Sequence, residues 1–141
     1  MNATPRLQAA LAAEHAAIFG YGALGPHLTG ASREAATETE QTHRDRRDTV
    51  AALLIRAKAE PVPAERAYAL PFPVEGRAAA LKLAIQLEER TAAAWRAAVP
   101  ELAGADRTLA ITALTECAVR ATRWRRALAP NAPVTVAFPG V

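Results

Sequence analysis

Cysteine is almost absent from this chain. Cys117 is the only one among 141 residues, so an internal disulfide and a zinc site built on several cysteines are both excluded. It falls on a predicted apolar helix face, which indicates an inert thiol packed in the core.

Long apolar runs are also missing, because no uninterrupted stretch approaches the roughly 20 residues that a bilayer-spanning helix needs. Residues 1–6 are not followed by the apolar region that characterises secretory signals. We therefore expect a cytoplasmic protein with no membrane partner.

Aromatic residues make up only 5% of the chain, whereas 37 positions are alanine and 51% of all residues are hydrophobic. This balance favours closely packed helices over sheets, whose strands are enriched in aromatic and β-branched residues. The predicted class is all-α. The length fits one domain, which we expect to span residues 1–141.

Familiar catalytic motifs are absent too. The chain has no phosphate-binding glycine loop, no dinucleotide fingerprint and no recognisable Ser/His/Asp set, which disfavours an ordinary hydrolase or dehydrogenase. The net charge of +3 comes almost wholly from arginine, since Lys58 and Lys82 are the only lysines. Arginine pairs with carboxylates as readily as with phosphates, so the basic composition alone does not indicate a nucleic-acid partner.

Proline and glycine divide the chain into four helical segments. Helices are predicted over about 5–24, 33–59, 75–99 and 106–128, with Thr4, Ser32 and Asp106 as N-caps. Gly20 and Gly22 interrupt the first pattern near its end. Residues 130–141 are predicted to form an apolar, non-helical tail.

Residues 60–74 contain four prolines and are predicted to form an extended connection. Fifteen residues at roughly 3.1 Å each reach about 45 Å, which exceeds the length of about 37 Å of a 25-residue helix. Helices 2 and 3 can therefore run parallel, joined by one long crossover. An up-down-up-down bundle with a slack loop fits the same segment lengths.

Polar side chains interrupt the apolar faces of these helices. Glu14 and Glu88 lie in the inward lines of helices 1 and 3. Glu40 and His43 are three residues apart, which places both on the inward face of helix 2. Glu116 flanks the inward line of helix 4. The sequence therefore predicts a cluster of carboxylates and one imidazole inside the bundle.

A Glu on one helix of each hairpin and a Glu-x-x-His on the other resembles the ferritin-like di-iron carboxylate proteins. The segments AEHAAIFGYG (13–22), LEERT (87–91) and VAFPG (136–140) also look like an alanine-rich actinobacterial ferritin-like family of unassigned function. The resemblance implies a ferritin-like four-helix bundle with a long Pro-rich crossover between helices 2 and 3. It also implies a metal site formed by Glu14, Glu40, His43, Glu88 and Glu116.

The two hairpins read as degenerate copies, and the chain departs from the family pattern in the second one. Val119 stands where the second Glu-x-x-His would place its histidine, so half of the nitrogen ligation is absent. We therefore expect a degenerate, non-catalytic site with no cofactor or only a weakly bound divalent metal, iron or manganese. A histidine at position 119 is expected to raise iron affinity.

Two other functions fit parts of this pattern. A di-iron or di-manganese oxidase, or a metal-handling protein, would use the same carboxylates. A basic nucleic-acid-binding bundle would use the arginines of helix 4, of which Arg125 and Arg126 are expected to point outward. Acidic residues interspersed near the arginines of helix 2 disfavour the second function. The sequence indicates no small-molecule substrate.

Buried carboxylates without a metal need other partners. In a metal-free site, these are expected to be His43, Arg47, Arg120 and Arg123. The tail, with Val134, Val136 and Phe138, predicts a homodimer, because an apolar terminal segment otherwise stays exposed or folds back onto its own helices.

Overall fold

The computed structural model describes residues 3–140 and contains four α-helices and, within that range, no strand. The predicted all-α class is therefore confirmed, while residues 1, 2 and 141 of the predicted domain and tail lie outside the described residues. The helices are α1 (Thr4–Leu24), α2 (Gly30–Arg56), α3 (Arg77–Ala98) and α4 (Gly104–Leu128). None of them, within residues 3–140, is long and apolar enough to cross a membrane.

The starts of α2 and α4 differ from the predicted N-caps at Ser32 and Asp106. Both helices begin two residues earlier than these positions, at Gly30 and Gly104, which have φ angles of +55° and +56°. Glycine adopts such angles without a steric cost, so each helix can start directly after a tight turn. A buried leucine two positions before each glycine anchors the turn to the core.

The direction of each helix follows from two apolar clusters. One cluster joins the N-terminal halves of α1 and α4 to the C-terminal halves of α2 and α3, with Trp95 at its centre. The other joins the opposite halves, with Tyr21 and Trp124. α2 and α3 therefore run parallel to each other and antiparallel to α1 and α4. Among the helices, α1 packs against α2 and α3, and α3 packs against α4.

The connection from α2 to α3 follows α1 along its length. Near the start of α1, the side chain of Gln8 donates to the carbonyl of Glu60 at 2.7 Å. Further along, Phe19 packs against Tyr68 with ring centroids 5.4 Å apart, and His27 lies 3.4 Å from the backbone nitrogen of Gly76. The predicted lengthwise crossover is therefore confirmed, because a connection between antiparallel neighbours would stay at one end.

Gly20 and Gly22 do not end α1, which continues to Leu24. A Cβ built at Gly20 would overlap both δ-methyl groups of Leu87, whereas one at Gly22 would lie no closer than 3.9 Å to the Glu40 side chain. Gly20 is therefore the point where the backbone of α1 comes close to α3.

This difference gives a matched pair of variants. We expect Gly20→Ala to lower the free energy of unfolding by about 1–3 kcal/mol, because the methyl group overpacks a closed contact. Gly22→Ala should raise it by about 0.5–1 kcal/mol, because alanine is the better helix former at an exposed site. Urea unfolding of both variants measures the difference, and equal effects would contradict the close approach.

The C-terminal tail folds back onto its own helices. Arg125 donates to the carbonyl of Val134 at 3.3 Å, and Arg96 donates to the carbonyl of Pro139 at 3.4 Å. Phe138 nevertheless stays 72% exposed. The tail therefore covers part of the surface of α3 and α4 without burying its own apolar side chains.

Candidate functional site

A histidine between two carboxylates lies at the centre of the helices. Nδ1 of His43 is 2.5 Å from Glu14 and Nε2 is 2.7 Å from Glu88, and all three side chains are completely buried. α1, α2 and α3 each supply one member, because Glu14, His43 and Glu88 occupy the inward lines of their helices. We refer to these three residues as the central triad.

Both ring nitrogens of His43 can donate only if the ring is protonated. Burial alone would lower the pKa of His43, but hydrogen bonds to Glu14 and Glu88 outweigh it and raise the pKa to about 9. For Glu14, burial opposes ionisation, but the hydrogen bond and charge of His43, together with Arg46, lower its pKa. The ring is therefore an imidazolium at neutral pH.

Arg46 adds a second buried cation. Its guanidinium lies 3.4 Å from Glu14, forms an ion pair with Glu116 and approaches the sulfur of Cys117 at 3.7 Å. Burial disfavours the charged form, yet Glu14, Cys117 and Glu116 raise the pKa of Arg46 overall. Glu116 itself is 42% exposed, so this ion pair connects the buried network to the surface of α4.

Aromatic side chains supply the remaining donors. The indole of Trp95 donates to Glu14 at 2.8 Å, and the hydroxyl of Tyr21 donates to Glu88 at 2.8 Å. The indole of Trp124 in turn donates to the Tyr21 hydroxyl at 2.9 Å. All three aromatic side chains are buried in the core, and they also satisfy buried acceptors, which apolar patterning does not reveal.

The network is pseudo-symmetric. The turn sequences GPHLTG (25–30) and VPELAG (99–104) are 74 positions apart, and the same offset relates residues across the site. The related pairs are Glu14 and Glu88, Tyr21 and Trp95, His43 and Cys117, and Arg46 and Arg120. The hairpins are thus degenerate copies, but the counterpart of His43 is Cys117 and not Val119.

The structure brings together only some of the five predicted metal ligands. Glu14, His43 and Glu88 meet, and Glu116 lies at the edge, where it is reached through Arg46. Glu40 is not among them, because its side chain turns to the surface and pairs with Arg44 at 3.1 Å. The predicted inward Glu-x-x-His pair is therefore wrong in its glutamate.

The inward line of α2 explains this error. The predicted line repeated every 3.5 residues and ran from Glu40 through His43 to Arg47. The buried residues instead include Thr39, His43 and Arg46. With 3.6 residues per turn, Thr39 and Arg46 lie on one side of His43, and Glu40 and Arg47 lie on the other, so the buried face of α2 is turned toward the first side. Arg46 could have been found by considering both sides of His43 together with the need of buried carboxylates for a cation.

Val119 is 44% exposed on the outer side of α4. Val119 therefore does not close the interior opposite His43, and the effect of a histidine at this position on iron affinity stays a prediction. The position that the Glu-x-x-His spacing assigns to a second histidine therefore lies at the surface, whereas Cys117, the counterpart of His43, is buried.

The residues present do not fit a di-metal centre. Both nitrogens of His43 are occupied by carboxylates, and Arg46 brings a cation to Glu14, so little free donor capacity remains. Oε1 of Glu88 is the one oxygen of the central triad without a hydrogen-bond partner, and it could supply only a single metal ligand. Within residues 3–140, no group of three or more His, Cys, Asp or Glu side chains is arranged to hold a metal ion.

The arginines of α4 are less free than a nucleic-acid surface requires. Arg125 was expected to point outward, but it forms an ion pair with Glu89 and donates to the carbonyl of Val134. Of the predicted metal-free partners, Arg120 lies 3.8 Å from Glu116, whereas Arg47 pairs with its neighbour Asp48.

Together these features define an all-helical protein built around a buried carboxylate–imidazolium network. The chain belongs to the family described as "Domain of unknown function (DUF4439)", whose sequence model matches residues 6–141. A crystal structure of a conserved hypothetical protein from Mycobacterium tuberculosis is similar, with 40% sequence identity and a TM-score of 0.86. The match covers 89% of this chain and 96% of that one. The search of curated proteins found no match.

Proposed function

We propose that this protein is a non-catalytic, ferritin-like four-helix bundle in which buried cationic side chains take the place of a di-metal centre. The observation that carries this proposal is the position of His43, bound through both ring nitrogens to the carboxylates of Glu14 and Glu88. A ring held in this way cannot offer a lone pair to a metal.

The path of the chain supports the ferritin-like assignment. Two antiparallel hairpins joined by one long crossover, with α2 parallel to α3, form the connection that ferritin-like proteins use. Glu14 and Glu88 come from the first helix of each hairpin, which is the arrangement that the sequence resemblance implies.

The charges of the buried side chains support the proposal that cations of the protein replace a metal centre. Two buried carboxylates need compensation, since each isolated charge in an apolar interior is strongly destabilising. His43 supplies a positive charge between Glu14 and Glu88, and Arg46 supplies a second one next to Glu14, which it shares with the partly exposed Glu116. Cationic side chains therefore do what a divalent ion does in a metal-loaded bundle, but they cannot activate oxygen or change oxidation state.

Iron titration tests this proposal against a di-iron or di-manganese oxidase. We expect the protein, purified without added metal, to take up less than one Fe(II) and to show no turnover with oxygen. Val119→His should behave in the same way, because the new imidazole would lie at the surface of α4. Uptake of two irons with turnover would overturn the proposal.

We further propose that the protein is a homodimer formed through α4 and the tail. Ile111 and Val119 are exposed on α4, and Val136 and Phe138 are exposed on the tail next to it. A groove of about 610 Å³ between these elements is lined by Leu114, Val119 and Val136. Exposed apolar side chains on neighbouring elements are the kind of surface that contacts between subunits cover.

Light scattering tests the dimer. Phe138→Asp places a charge at the most exposed apolar side chain and should shift a micromolar sample from dimer to monomer. Ile55→Asp removes another exposed apolar side chain, on α2 away from the tail, and should leave the dimer intact. A monomeric native protein, or equal effects of both variants, would contradict this interface.

A further inference from the structure

A cleft of about 340 Å³ opens between α2 and α4. It adjoins the groove under the tail, since Arg123 lines both, and its size lies at the lower end of the range of ligand pockets, about 300–1,000 Å³. The two helices are bridged at one end of the cleft by Arg120, which donates to the hydroxyl of Thr42 at 3.3 Å.

The charged groups of the cleft lie on α4. Arg120 lines it, keeps 20% of its side chain exposed and is held in place by Thr42 and Glu116. Arg123 lies one turn further along, is exposed, and has no hydrogen-bond or ion-pair partner in residues 3–140. Two guanidinium groups one turn apart form a site that suits a carboxylate or phosphate oxygen.

The other end of the cleft is mostly apolar. α2 and α4 run antiparallel, so the wall beyond Arg123 contains Ala31, Ala35 and Ala127 next to Trp124, with Ser32 as the polar side chain among them. From Thr42 to Ala31 the α2 wall rises about 16 Å at 1.5 Å per residue. Alanine side chains leave room where larger residues would close the gap between the helices.

We propose that this cleft binds an amphipathic organic anion, with its acidic head at Arg120 and Arg123 and its apolar chain along the alanine wall and Trp124. The arrangement matches a binding pocket with an apolar lining and a few convergent polar groups. The proposal does not depend on the proposed loss of metals, and the cleft meets the buried network only through Arg120, which contacts Glu116, and Trp124, which donates to Tyr21.

Glu38 provides an internal check on this proposal. It lines the same cleft, and within residues 3–140 its carboxylate has no hydrogen-bond or ion-pair partner, so this charge opposes the binding of an anion. Removing this charge should strengthen anion binding, whereas a ligand recognised as a cation would bind more weakly.

Calorimetric titration with octanoate and acetate tests the site. We expect octanoate to bind at a single site, and acetate at least about tenfold more weakly, because acetate lacks the chain that contacts the alanine wall. Arg123→Gln should weaken octanoate binding about tenfold, since a charge-assisted hydrogen bond is lost. Glu38→Gln should tighten it.

Arg126→Gln is the matched control, because Arg126 is an exposed arginine of the same helix that does not line this cleft. It should leave the octanoate affinity unchanged. The change in Trp124 fluorescence on binding should be lost in Trp124→Phe. The proposal is overturned if octanoate does not saturate at millimolar concentration, if acetate binds equally well, or if Arg126→Gln and Arg123→Gln have the same effect.

Discussion

Replacing His43 by leucine is expected to lower the free energy of unfolding by about 3–5 kcal/mol. The substitution leaves two fully buried carboxylates without the imidazolium that joins them, and breaking a buried ion pair from one side strands the remaining charge. Because small domains have total stabilities of about 5–15 kcal/mol, such a loss is readily measured by urea unfolding.

The triple variant Glu14→Gln, His43→Leu, Glu88→Gln separates charge from packing. It removes the two negative charges together with the positive one, while the amide oxygens at positions 14 and 88 can still accept from Trp95 and Tyr21. We expect it to be more stable than His43→Leu alone, although it carries more substitutions. A triple variant as unstable as the sum of its single changes would show that the charges are not coupled.

The second large effect is the pH dependence of stability. The pKa of His43 is raised in the folded protein to about 9, so its contribution is fully present below the unfolded value of 6.5 and is lost as the pH rises toward 9. Between pH 6 and pH 8.5 we expect the free energy of unfolding to fall by about 2 kcal/mol.

The contribution of Glu14 to stability changes with pH in the opposite direction. Its pKa is lowered in the folded state, so its contribution is present above the unfolded value of 4.5 and is lost as the pH falls through the folded value. Stability should therefore be greatest between about pH 5 and pH 6.5.

The other two histidines provide the control for the basic side of this profile. His15 contacts the carbonyl of Val62, and His27 contacts the backbone nitrogen of Gly76, so neither belongs to the central triad. The double variant His15→Gln, His27→Gln should keep the full decrease between pH 6 and 8.5. If the decrease disappears in this variant, it does not come from His43.

Most of the fold could be predicted because it depends on local chemistry. The prolines at positions 61, 63, 71 and 73 exclude a helix and favour an extended connection, which the contacts along α1 confirm. The first residues of α2 and α4 were harder to predict from the sequence. Gly30 and Gly104 begin these helices through positive φ angles, where polar N-caps were expected.

The site could be predicted only in part, for a physical reason. Glu14 and Glu88 are recognisable as charges within apolar lines, and His43 lies on both the predicted and the observed inward line of α2. Arg46 is buried and Glu40 is not, contrary to the prediction, because lines through either side of His43 alternate steps of three and four residues and the spacing alone does not select between them. Whether a buried carboxylate meets a metal or a guanidinium depends on tertiary contacts that no pattern within one helix contains.

The protonation state of His43 tests the central claim most directly. Nuclear magnetic resonance of the ¹⁵N-labelled histidine rings, with His43 assigned from the His15→Gln, His27→Gln variant, reports both ring nitrogens. The imidazolium network predicts two protonated nitrogens at pH 7.5, a titration midpoint near 9 and no change when Fe(II) or Mn(II) is added. A neutral ring at pH 7.5, or a ring nitrogen whose resonance moves on metal addition, would contradict it.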